Sequence, residues 1–178
     1  MADIVLTGDT SGAITVAAPA VAGTNTITLP AETGTILTNQ TSVGKILQVV
    51  NATQNTEVAT TSSSLVDTGL TATITPSATS SKIVAFYSMP ILVQTTDIIQ
   101  VALIRGSTNI LNNVRAMHTA NPQLNVIISN CIVDSPSTTS ATTYKVQFSS
   151  GGTASSVFAA MWNNESPSSL ILMEVAGQ

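Results

Sequence analysis

The chain has 178 residues, 43% of them hydrophobic, 8% charged and 3% aromatic, with a formal net charge of −4 and a mean hydropathy of +0.36. Five Lys and Arg against nine Asp and Glu leave no basic run to neutralise phosphates, and few rings to stack on bases, so nucleic acid is not an expected partner. Abundant Val, Ile and Leu exclude intrinsic disorder, and no run approaches the roughly 20 apolar residues of a membrane-spanning helix; the best, 83–93, is broken by Ser88 and Pro90.

Ser and Thr make up about a quarter of the chain, where an ordinary soluble protein carries about 25% charged residues. Such a surface is polar without being ionic. Met1-Ala2-Asp3 has no basic region and no apolar stretch follows it, so no secretion signal is read and synthesis and use without export are expected.

From Ala13 to Leu37 the pattern is one of strands four or five residues long, punctuated by Pro19, Gly23, Pro30 and Gly34. Strands so short, made mostly of Ala, Val and Thr, cannot close a core alone. Either the rest of the chain or identical copies about a symmetry axis must cover them. Small side chains, which let backbones approach closely, favour the copies. Residues 39–44 (NQTSVG) read as a polar linker, and the boundary falls there: 1–43 as an attachment arm or short shaft, 44–178 as the main domain.

Beyond it, β-branched runs predict strands near 46–60, 70–75, 82–94, 98–105, 108–115, 124–134, 142–149, 156–162 and 169–176. Turn chemistry separates them at Thr75-Pro76-Ser77, Arg105-Gly106-Ser107, Asp134-Ser135-Pro136, Ser150-Gly151-Gly152 and Ser166-Pro167-Ser168. This predicts an all-β fold with an antiparallel, jelly-roll-like β-sandwich. Several strands, Leu170 to Val175 and Val126 to Ile128 among them, are apolar at even and odd positions alike. An antiparallel sheet in a monomer normally wets one face. A subunit interface or intrachain cover would both account for the pattern; the interface candidates are Leu170, Leu172, Val126 and Ile128.

Residues that carry chemistry are sparse. Cys131, the one cysteine, alternates with apolar neighbours and is expected to be a buried small hydrophobe. His118 lies beside a Pro-containing turn with no His/Cys partners, so no metal is expected. No Gly-x-Ser-x-Gly, phosphate loop or dinucleotide fingerprint occurs, and no catalytic residue or cofactor is assigned. The carboxylates Asp67, Asp97, Asp134, Glu165 and Glu174 could in principle supply a hydrolytic pair. Glu174 interrupts the last apolar strand, and two readings stay open: an interface ion pair or a solvent-facing position. Trp162, Asn163 and Arg105 are residue types that a sugar-binding patch uses; a core Trp and a polar hairpin turn explain them equally.

Residues 6–38 (LTGDTSGAITVAAPAVAGTNTITLPAETGTILT) resemble repeats in tail-fibre and other structural proteins of tailed bacteriophages, especially those of marine and cyanobacterial hosts. KILQVV, VDTGLTATITPSATSSKI, ALIRGSTNI, DSPSTTSATTYKVQF and SSLILMEV follow in the order of the domain that often succeeds such repeats. The resemblance implies a non-enzymatic homotrimer on the virion surface, with an N-terminal β-rich arm bound to other virion proteins and a C-terminal β-sandwich knob. It allows two roles, a short fibre-like appendage touching host surface glycans or a trimeric capsid decoration (cement) protein. A stand-alone carbohydrate-binding module and a depolymerase are the competitors outside that class.

Overall fold

The computed structural model describes residues 4–7, 13–16, 45–93, 97–119, 124–151, 157–159 and 167–177. Among them there is no helix. The strands are β1 (Ile4–Thr7), β2 (Ala13–Val16), β3 (Ile46–Gln54), β4 (Val58–Thr60), β5 (Val66–Ile74), β6 (Lys82–Val93), β7 (Asp97–Arg105), β8 (Thr108–Thr119), β9 (Leu124–Asp134), β10 (Thr142–Ser150), β11 (Val157–Ala159) and β12 (Ser168–Val175).

The chain divides into two compact units, Met1–Thr38 and Asn39–Gln178. In the first, β1 and β2 pair antiparallel, Ile4 opposite Val16 through Thr7 opposite Ala13. The linker 39–44 lies outside the described residues.

The second unit contains two antiparallel sheets. The small sheet has the order β5-β10-β7-β8. In the large sheet β9 runs along one edge of β6, from Ile83 opposite Asp134 to Val93 opposite Leu124. Along the other edge of β6, β12 pairs with 82–88 and β11 with 91–93, so these two lie end to end. Next to them come β3 on β12 and β4 on β11. The sheet is therefore four strand positions wide.

Alternation sets the core. Even positions of β12 and odd positions of β6 point inward: Leu170 lies opposite Tyr87, and Leu172 opposite Ala85, all fully buried. The small sheet answers with Leu70, Ile74, Val101, Leu103, Tyr144, Val146 and Phe148. A large Leu beside a small Ala lets the two layers interdigitate at interior density.

Two glycines have backbone reasons. Gly106, at φ 58°, is the first residue of the two-residue β7–β8 loop, where a primed hairpin turn requires a left-handed residue. Gly69, at φ 85°, sits in a bulge of β5: the register runs Lys145 to Thr71 and then Gln147 to Asp67. Two extra residues are an even number, so β5 keeps its inward positions Thr68, Leu70, Ala72 and Ile74 on either side of the bulge. Thr68 fills the interrupted ladder, its hydroxyl donating to the Val146 carbonyl at 2.8 Å and accepting from the Leu70 amide.

Four expectations change. The stretch 46–60 is two strands, split at 55–57, and β5 begins at Val66 because its bulge carries the strand across Gly69. Cys131 is exposed: β9 is an edge strand and its odd positions face out of the sandwich. Leu170 and Leu172 are covered within the single chain, which accounts for their burial without a partner; Val126 and Ile128 are half-buried against the same core.

Candidate functional site

The hydrogen-bonded carboxylates among the described residues sit in three clusters, two inside the sandwich and one on its surface. Glu174 shares the inward parity of Leu170 and Leu172 and is fully buried. One carboxylate oxygen accepts from the Ser77 amide, the Ser77 hydroxyl and the Ser81 hydroxyl, each at 2.6 Å. The other accepts from the Gln48 amide, which also donates to the Thr75 carbonyl at 2.7 Å. Glu174 thus ties the 75–81 loop to β3 and β12. Burial alone would raise its pKa, but the hydrogen bonds from Ser77, Ser81 and Gln48 win and hold it near about 2. It is buried, not solvent-facing, and among the described residues it has no cationic partner, so a structural acid replaces the two sequence readings.

The second cluster joins the sheets at the end of β9. Asp134 points inward beside Ile83. Arg105 donates from one guanidinium nitrogen to both Asp134 oxygens, at 2.8 and 2.7 Å, and the Tyr144 hydroxyl donates to one of them at 2.7 Å. Burial and then the Asp134 carboxylate push the Tyr144 phenol well above the usual tyrosine range. Arg105, a candidate for sugar contact, is therefore engaged in a clasp across the sandwich.

The third cluster is on the outer face of the small sheet. The β5 bulge brings Asp67 to Lys145 at 2.9 Å and to the Gln147 amide, which donates at 2.7 Å. The Lys145 hydrogen bond, followed by that from Gln147, lowers the Asp67 pKa. A shallow open depression lies there, lined by Asp67, Gly69, Thr71 and Lys145.

Asp67, Asp134 and Glu174 thus belong to separate clusters, each held by its own donors. Asp97 lies on β7 and His118 on β8 by backbone, their side chains outside the described residues, as are Trp162, Asn163 and Glu165. Among the described residues no group of His, Cys, Asp and Glu could hold a metal ion. The partners of Glu174 are uncharged and 93 to 126 residues away, so only its parity with Leu170 and Leu172 could have signalled burial.

The most distinctive surface is the outer face of the large sheet. Val49, Met173, Val84 and Val133 lie side by side across β3, β12, β6 and β9; the next row is Asn51, Ile171, Phe86 and Cys131. At its margins Val49 is 57%, Ile127 72% and Val133 62% exposed. Every exposed large hydrophobic residue among those described belongs to β3 or β9 of this sheet.

These features define the second unit as an antiparallel two-sheet β-sandwich with polar clasps inside and an open apolar face. No family model matches the chain, and no curated protein matches it. Among solved structures it is similar to the infectious bursal disease virus VP2 subviral particle, at 14% identity and a TM-score of 0.42, over 73% of this chain and 38% of that one. It is also similar to a structure of the Gx strain of that virus, at 14% identity and a TM-score of 0.43, over 97% of this chain and 45% of that one. The chain spans less than half the length of either. The likeness concerns the fold.

Proposed function

We propose that the protein is a non-enzymatic structural component of a bacteriophage virion, a short homotrimeric fibre-like appendage displayed on the particle surface. The observation that carries this reading is the division of the chain into a small N-terminal unit, Met1–Thr38, and a sandwich, Asn39–Gln178. That division supports the arm-plus-knob organisation that the tail-fibre resemblance of residues 6–38 implies. In this reading the arm, residues 1–43, docks on other virion proteins and the sandwich projects. In the sandwich, Glu174 and Asp134 hold a loop and the two sheets together, which suits a part whose task is to keep its shape.

Contact with a host surface glycan is the finer part of the proposal. Its contact set reduces to Trp162 and Asn163, since Arg105 is held by Asp134. A glycan array probed with the full chain tests it: selective retention supports glycan contact, and none removes it.

Placement is tested by gold-labelled antibody against the sandwich, applied to purified phage particles that encode the chain. Label at the tail or neck supports the appendage, and label spread over the head makes the chain a decoration protein instead. Unlabelled particles, with the chain absent from their protein content, would overturn the virion reading.

A further inference from the structure

We infer that the outer face of the large sheet is where copies of this chain meet, three of them closing about an axis with this face turned inward. The inference rests on the homotrimer reading above and supplies its surface.

A sheet exposed to water alternates apolar-in with polar-out, as β5 of the small sheet does, with Thr71 and Thr73 exposed between buried Leu70, Ala72 and Ile74. The large sheet instead carries Val49, Met173, Val84 and Val133 in one outward row, with Ile171 and Phe86 in the next. An isolated exposed Val or Ile is ordinary, but a contiguous apolar patch of several hundred Å² marks a contact surface. Four strand positions at about 4.8 Å and eight residues at about 3.3 Å make a face of roughly 19 by 26 Å, or about 500 Å² before side-chain relief. A stable interface takes about 800 Å² from each partner, so this face supplies the apolar centre of such a contact and its rim the remaining area.

Charge identifies the occupant. In a symmetric assembly a patch meets itself or its neighbour's equivalent, and any charge on it meets its like. Across β3, β12, β6 and β9 the described outward residues are uncharged until Lys82, at the end of β6, whose ammonium donates to the Ser135 hydroxyl at 2.8 Å. An ionic partner would find only Lys82, at the edge of the face, to pair with, whereas an identical face is complementary across its apolar rows. Away from the apolar rows comes a neutral polar one, Thr53, Ser169, Ser88 and Ser129, which supplies the hydrogen-bonding rim an interface needs. Turning the faces toward a common axis also leaves none over, so the assembly closes instead of growing into a filament.

The test uses the full chain. Light scattering and sedimentation across about 1–100 μM, a range spanning ordinary subunit affinities, should give three times 18.2 kDa for the wild type. The double substitution Val49→Asp with Ile127→Asp, at two exposed positions, should give a single-chain mass with an unchanged far-ultraviolet circular dichroism spectrum. Thr73→Asp, on the outer face of the small sheet, should leave the trimer intact. Cys131 lies on the inferred face and reports without mutation: an aromatic disulfide reagent should react with it at least tenfold more slowly in the assembled wild type than in the Asp double variant. A wild-type monomer at all concentrations would overturn both the homotrimer and this surface. A wild-type trimer that survives the double substitution, or whose Cys131 reacts as fast as the variant's, would overturn the surface and leave the homotrimer standing. A wild-type dimer dissolved by the substitutions would keep the surface and overturn three-fold closure.

Discussion

The two sheets carry their described hydrogen-bonded carboxylates on opposite sides. The small sheet turns its ion pair, Asp67 with Lys145, outward and keeps its inner face largely apolar, with Thr68 at the bulge and Arg105 and Tyr144 reaching across. The large sheet turns Val49, Ile127 and Val133 outward and holds its acids, Glu174 and Asp134, on the inner side. Along β5, and where β10 carries Lys145 and Gln147, the small sheet is built as a sheet in water is built. The large one gives up that solvation on its outer face and uses its acids as fasteners, which is what a layer between a core and a partner requires.

The first way to sharpen the contrast is to remove the same kind of group from the two faces of the large sheet. Leu172→Ala, between the layers, should cost about 2–5 kcal/mol in urea unfolding through lost transfer energy and an unfilled cavity. Ile127→Ala, 72% exposed, should stay within about 0.5 kcal/mol in the dissociated chain. Equal losses would mean that the outer face is covered within the chain itself, and the contrast would collapse.

Glu174 comes next. Its folded pKa near about 2 lies below the ordinary 4.5, so its contribution is fully present above pH 4.5 and fades as pH falls toward 2. A depression of that size corresponds to about 3 kcal/mol. Urea unfolding at pH 7 and pH 3 should show most of this loss in the wild type and a much flatter response in Glu174→Gln. The variant should also speed hydrogen exchange in the 75–81 loop, which Ser77 and Ser81 anchor.

What the sequence made legible follows from what kind of information each feature needs. Strands such as 124–134 and the hairpin at Gly106 are written locally, in β-branched runs and turn residues, and sequence and structure agree on them closely. Faces are not local. Where both parities are apolar, as in β12 and β9, only the neighbouring strands decide which side is in. That is why Leu170 and Leu172 read as interface candidates while Ile171, Met173 and Cys131 hold the open side. The clasps were the least legible. Asp134 finds Arg105 across the sandwich, and Glu174 finds serines and a glutamine that no motif distinguishes from the chain's many others.

Arg105→Ala separates the inner clasp from the outer pair. Asp134, with 11% of its side chain exposed, would keep the Tyr144 hydroxyl but lose its cation, and a loss of about 2 kcal/mol is expected, little changed by added salt. Retention of full stability in urea would show that water replaces the guanidinium, and the two sheets would then differ less than their geometry implies.

The smallest effect belongs to Lys145→Ala. Its partner Asp67 has 57% of its side chain exposed, so the pair works in high dielectric and pays side-chain ordering on both members; less than about 1 kcal/mol is expected. Salt decides whether the pair is as superficial as it looks. Exposed charges are screened over about 3 Å at 1 M ionic strength, so the difference between Lys145→Ala and wild type should vanish there while that of Arg105→Ala persists. If instead both differences survive 1 M salt, the bulge at Gly69 shields Asp67 from solvent, and the outer face of the small sheet is more than a wetted surface.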